Sequence, residues 1–183
     1  ILGLLTGGIL AGQSLIRAAE VRSVSTDYNR YRTALNTFHT QYNAFPGDMI
    51  DATSYWGKDT AACNGHSGAA GAPGTCNGNG NNNIETVSGA NATGEYFQAW
   101  KQLQLAGLIE GAYSGLAGAS GANHHACPSN CPSGRLSNSG WAYIGWGYIS
   151  GGAGLIDGNY GNALAFGALN TVDPNAAVLT PEE

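Results

Sequence analysis

The chain has 183 residues, a formal net charge of -5 at pH 7, 10% charged residues and 29 glycines. That length supports one modest globular core beside an extended element and excludes two independent cores. The composition is poor in helix formers and rich in turn residues, so strands and long loops are expected beyond the first element. The acid excess argues against nucleic acid as a partner.

The first element is a stem. Residues 1–45 contain no proline, and the first 16 carry no charge. That apolar run is short for a membrane span, which needs about 20 apolar residues. The segment is therefore either interfacial or part of a longer run beginning before Ile1, and the opening isoleucine favours the latter. Gly3 and Gly7, and again Gly8 and Gly12, stand four apart, the spacing that lets helix backbones approach closely. Without such contact each glycine costs about 1 kcal/mol against alanine inside a helix.

From residue 17 to 45 the stem turns amphipathic. Val21, Val24, Tyr28, Tyr31, Leu35, Phe38 and Tyr42 recur by threes and fours and predict a seam packed on the head. Arginines and acids fall between them. The stem holds four arginines against Glu20 and Asp27, while residues 46–183 hold three basic against ten acidic side chains. A helix over 1–45 is ~65 Å long, so its apolar end is expected to protrude.

Phe45-Pro46-Gly47-Asp48-Met49 is expected to end the stem. Asp48 reads as the N-cap of a short helix, with Asp51 three residues on; capping accounts for both carboxylates without a catalytic pair. Residues 58–93 form a loop of Gly, Asn, Ala, Ser and Thr centred on Asn81-Asn82-Asn83, and neighbouring subunits are the candidate for ordering it. Asn91-Ala92-Thr93 matches a glycosylation pattern.

A second helix is expected over 94–106, with Tyr96, Phe97, Trp100, Leu103 and Leu105 apolar and Gly107 placed to end it. Gly140–Ile149 and Asn162–Leu169 alternate as antiparallel strands do. Between them Asp157-Gly158-Asn159-Tyr160-Gly161 supplies turn chemistry. Asp157 and Asn159 are a weak calcium candidate, because only one carboxylate is present and no bidentate glutamate follows; a tight turn accounts for them better. No other cofactor is suggested.

The four cysteines are an even set that suggests disulfides in an oxidising compartment, with three pairings open. Cys63 with Cys76 and Cys127 with Cys131 is favoured, because each pair brackets a local loop with little else to hold it. His66, His124 and His125 near these cysteines permit a zinc reading, but the spacings match no compact zinc signature. Trp141, Tyr143, Trp146, Tyr148 and Tyr160 could form a sugar-binding platform on a membrane-tethered module, or fill the sheet core. No nucleophile elbow, metal-binding helix or phosphate loop is present, so no enzyme is expected.

Three stretches carry a resemblance to a known family. They are the apolar segment Ile1–Gly12 running into Arg17-Ala18-Ala19-Glu20-Val21-Arg22, the Phe45-Pro46-Gly47-Asp48-Met49 turn, and Ala99-Trp100-Lys101-Gln102-Leu103 with Leu105-Ala106-Gly107-Leu108-Ile109-Glu110. With these the chain resembles the bacterial type IV pilin and type II secretion pseudopilin family, in particular proteins with a prepilin-type cleavage/methylation segment.

The resemblance implies an α+β fold, a long helix on a small antiparallel sheet, in a subunit that is released by a prepilin peptidase and held in the inner membrane. The pilus assembly machinery would then polymerise it with identical copies into an extracellular filament; a periplasmic pseudopilus is the alternative. Gly3, Leu4, Leu5, Gly7, Gly8, Ile9, Gly12 and Leu15 would pack the filament core. The family's leader, starting phenylalanine and early glutamate have no counterpart here. Ile1 aligns with the middle of the family's apolar segment, which implies residues ahead of it.

Overall fold

With no proline to interrupt it, the stem runs as one helix, α1 (Leu2–Tyr42), 41 residues long in the computed structural model and about 60 Å at 1.5 Å per residue. The structure describes residues 2–64, 73–85, 94–146, 161–171 and 173–179, with the side chains of 2–8, 10, 64 and 146 outside the description. After α1 come α2 (Ala52–Trp56), a 3-10 turn (Ala62–Asn64), α3 (Glu95–Leu105), β1 (Ser139–Trp146) and β2 (Gly161–Ala168). The architecture is α+β.

The stem stops three residues before the expected boundary at 45. Asn43 takes a left-handed backbone with φ 52° and donates its N–H to His39 O at 2.9 Å, closing the last turn. Asparagine is one of the few side chains that adopt this conformation readily. The chain then doubles back, and Phe45 lies on His39 with ring centres 4.7 Å apart.

Gly47, at φ +93°, has no room for a side chain, since a Cβ there would run into Glu95 O. Its N–H donates to Gln102 Oε1 at 2.6 Å, which locks the turn against α3.

The core forms where α1 crosses α3 and the sheet. Tyr31 and Phe38 from α1, Phe97, Trp100 and Leu103 from α3, and Trp141 and Tyr143 from β1 are all buried in one cluster. The Tyr31 ring meets Trp100 at 5.3 Å and Trp141 at 5.4 Å, both edge-on. Each large side chain removed from water in this way contributes roughly 1.5–3 kcal/mol.

Helix α3 is more deeply enclosed than its apolar stripe predicts, because Gln98, Lys101 and Gln102 are buried with it. These polar groups bind the loop segment at 75–76. Gln98 Oε1 accepts from Thr75 Oγ1 at 2.7 Å and from Cys76 N at 3.1 Å, and Gln102 Nε2 donates to Cys76 O at 3.0 Å.

Strands β1 and β2 pair antiparallel without interruption from Ser139↔Ala168 to Trp146↔Gly161. The disulfides are Cys63–Cys76 and Cys127–Cys131, the pairing expected from the local loops.

Candidate functional site: an unpartnered stem and a carboxylate-bound loop

The two halves of α1 have different surroundings. In the lower half Tyr31, Ala34 and Phe38 are buried, with Val24, Leu35 and Tyr42 packed against them. Tyr28, expected in the seam, is instead 42% exposed, and Ala34 takes a buried place that its small side chain did not announce. Tyr28 lines a groove beside β2, with Leu35, Asn162 and Leu164.

Above Arg17 the described side chains are largely open to solvent. Ile9, Leu15 and Ile16 are 55, 70 and 63% exposed. A Cβ added at Gly12 would meet nothing within 4 Å. Ile9, Gly12 and Ile16 stand at i, i+3 and i+7, so they share one face. Among the described residues, Arg17 ties the stem to the head, its Nη2 donating to Val178 O at 3.1 Å, while its Nη1 lies 3.5 Å from Glu20 on the same helix. Of the other residues expected to pack a filament core, Gly3, Leu4, Leu5, Gly7 and Gly8 lie outside the described side chains. Among the described residues, no helix is long and apolar enough to cross a membrane.

The second feature is the Gly/Asn loop, whose described part, 73–85, is ordered from within the chain. Asp48 is not the N-cap of α2. That place belongs to Asp51, whose side chain makes no capping bond. Asp48 is buried and turned the other way. Its Oδ1 accepts the N–H groups of Gly80 at 2.6 Å and Asn81 at 3.1 Å, and its Oδ2 accepts that of Asn82 at 2.7 Å. Glu95, at the start of α3, accepts Asn79 N at 3.0 Å and Glu85 N at 2.9 Å. Asn162 on β2 closes the far side, accepting Ile84 N and donating to Asn82 O. Glycine and asparagine expose their amides readily, which is what lets two carboxylates gather so many of them.

Burial pushes the Glu95 carboxyl up to about 7; the N–H bonds from Glu85 and Asn79 pull the other way, and the charges of Asp48 and Glu85 add to the rise. Residues 79–85 of the loop are thus held by contacts within the chain. Residues 65–72 and 86–93, including His66 and the Asn91 glycosylation pattern, lie outside the described residues.

One buried ionic pair and one buried histidine–carboxyl contact escaped the sequence. Lys101 Nζ lies 2.6 Å from Asp59 Oδ2 with both side chains inside the head. Burial alone would raise Asp59, but N–H donation from Ala62 and the Lys101 ammonium hold it below its usual value. His125, buried against Phe97, has its Nδ1 3.5 Å from Asp173 Oδ1, and burial lifts Asp173 to about 6. A lysine or aspartate far apart in sequence carries no local signal of such pairing.

The sugar-platform reading fails for two of its members. Trp141 and Tyr143 are 2 and 3% exposed and belong to the core. Inward-facing residues of β1 were always a competing account of the same alternation, and burial against α1 favours it. The Trp146 side chain, Tyr148 and Tyr160 lie outside the described residues, as do the calcium candidates Asp157 and Asn159. The zinc reading loses its thiolates, since all four cysteines are in disulfides. Among the described residues, no group of three or more His, Cys, Asp or Glu side chains could hold a metal.

Comparison with family models, with curated proteins and with solved structures finds no match to the chain.

Proposed function

We propose that this chain is a structural subunit that polymerises through its stem into a type IV pilus-like filament at the cell surface. One observation carries the reading: Ile9, Leu15 and Ile16 are exposed on a helix that extends beyond the head. Surface of this kind, in a projecting element, is stabilised when a partner removes it from water. The glycine at position 12 supports the same reading. It lowers helix stability by about 1 kcal/mol relative to alanine, and nothing in the subunit's own packing requires it. Close approach of a second helix gives that glycine a role.

The remaining features fit a passive building block. The resemblance to pilins lies in the stem, the Phe45-Pro46-Gly47-Asp48-Met49 turn and the α3 region, which together supply the packing seam and its lock. Two disulfides suit an oxidising exterior. Of the two carboxylates that invited a catalytic reading, Asp48 is engaged in holding the loop. Identical subunits joined by different faces of α1 make heterologous contacts, which propagate without closing. The experiment is electron microscopy of surface filaments sheared from cells expressing the chain. Filaments that disappear when Ile9 and Ile16 are replaced by Asp support the proposal. Their absence at native expression favours a short periplasmic pseudopilus.

A further inference from the structure

The outer edge of β2 carries open main-chain groups. In the β1–β2 ladder, Trp141 N and Gly145 N donate away from β2, to Pro132 O and Ile84 O, so their partners Phe166 and Asn162 also turn their main-chain groups outward. Ala168 does the same, and its N–H is satisfied by Ala176 O at 2.8 Å. Asn162, Leu164 and Phe166 are left with outward N–H and C=O groups that meet no main-chain partner among the described residues. Beside them, between the strand and the stem, runs a groove of about 500 Å³ lined by Tyr28, Leu35, Phe45, Tyr143 and Leu164.

Exposed edges are ordinarily protected by charge, proline, a bulge or shortness. This one has none of these: Gly161–Ala168 is eight residues long, contains neither a charged residue nor proline, and keeps its register throughout.

We propose that the β2 edge is an interaction surface that takes an extended segment from a second copy of this chain. The main chain of that segment would pair with Asn162, Leu164 and Phe166, and alternate side chains would enter the groove. Ala176 of the same chain makes an isolated antiparallel bridge with Ala168, so the edge accepts a main-chain partner. Two observations select a second copy. Arg32 lines the groove, and the head of another copy, with ten acidic against three basic residues from 46 to 183, carries the complementary charge. The groove also runs along α1, the element that the assembly reading brings beside its neighbours; the choice of occupant rests on that reading.

The experiment is amide hydrogen exchange on the full-length chain, dispersed in detergent and again after detergent removal, with particle size followed in parallel. If the chain assembles and the amides of Asn162, Leu164 and Phe166 slow by ~100-fold or more, the edge is covered, and a second protected stretch identifies the donor segment. Assembly with equal exchange in both states overturns the edge proposal and leaves the filament reading standing. A small oligomer that protects these amides, and is lost in Leu164→Pro or Ala163→Lys, supports the edge and overturns the filament. Proline at 164 removes an outward N–H together with leucine packing on the core, and lysine at 163, a groove position outside the core cluster, serves if the proline variant does not fold. A monomer with freely exchanging edge amides overturns both, and protection traced to a co-purified foreign peptide overturns the choice of a second copy.

Discussion

Asp48 and Asn82 are joined by a hydrogen bond of 2.7 Å from the backbone N–H of the asparagine to Oδ2 of the buried carboxylate. It ties the turn that ends the stem to the middle of a loop 34 residues further on. A low-complexity segment acquires a fixed shape because one acceptor gathers successive amides, and several expectations follow from this and similar contacts.

Replacing Asp48 by Ala removes a carboxylate acceptor from the N–H groups of Gly80, Asn81 and Asn82; Gly80 keeps the backbone oxygen of residue 48 and Asn81 keeps Asn79 Oδ1, so Asn82 is the amide left bare. The cost is expected at about 1–3 kcal/mol, since the loop amides can recover part of it from water. Urea denaturation gives the size, and exchange at those three amides gives the location. A change in stability without faster exchange there contradicts the assignment.

The Glu95 carboxyl is raised from 4.5 to about 7 in the folded chain. A group shifted in this direction favours the fold fully below its unfolded pKa, and that contribution is lost as pH rises through the folded value. Stability is therefore expected to fall between about pH 4.5 and 7 on account of this side chain. Asp173, raised from 3.8 to about 6, acts in the same sense over its own lower window. Glu95→Gln should flatten the fall when urea midpoints are measured at pH 5 and pH 8, because the amide does not ionise, while its single acceptor oxygen can serve only one of the N–H groups of Asn79 and Glu85, so stability is also lowered at both pH values. An unchanged slope argues against Glu95 as its source.

Lys101→Met removes the cation from a carboxylate that stays inside the head. Breaking one side of such a pair costs about 3–5 kcal/mol. The double variant Lys101→Met with Asp59→Leu should recover part of that loss, limited by the bond from Ala62 N to Asp59 that it also removes. Chemical denaturation of the single and double variants reads this directly, and a double variant no better than the single contradicts the buried-charge account.

Cys63→Ala with Cys76→Ala opens a loop closed across 13 residues. On the chain-entropy model this costs about 3 kcal/mol. The lost stability should appear in the thermal midpoint under oxidising conditions and vanish in the comparison with reduced wild type.

Much of this arrangement can be read directly from residue patterns. The unbroken helix follows from absent proline, most of its seam from apolar spacing, and both disulfides from local bracketing. Tyr31 and Phe38 were legible because a large aromatic on a helical repeat has one economical place to go. Ala34 was not, since alanine suits either side of a helix. Asn43 stopped the stem ahead of the proline because a left-handed asparagine ends a helix without a conspicuous signal. The role of Asp48 was hidden for a different reason. A carboxylate four residues before α2 looks like a cap when only near neighbours are considered, whereas its actual partners lie more than 30 positions away. The burial of Gln98, Lys101 and Gln102 on α3 carries no local signal for the same reason, their partners being brought in by the fold.

The central claim is that the stem's bare end is removed from water by other copies. Sedimentation and electron microscopy of the full-length chain after detergent removal test it most directly, with Gly12→Ala as comparison. The expected result is long filaments, fewer of them in the alanine variant, although alanine makes its isolated helix more stable by about 1 kcal/mol. A monodisperse monomer in detergent-free buffer, with Ile9, Leu15 and Ile16 protected against its own head, would contradict the claim.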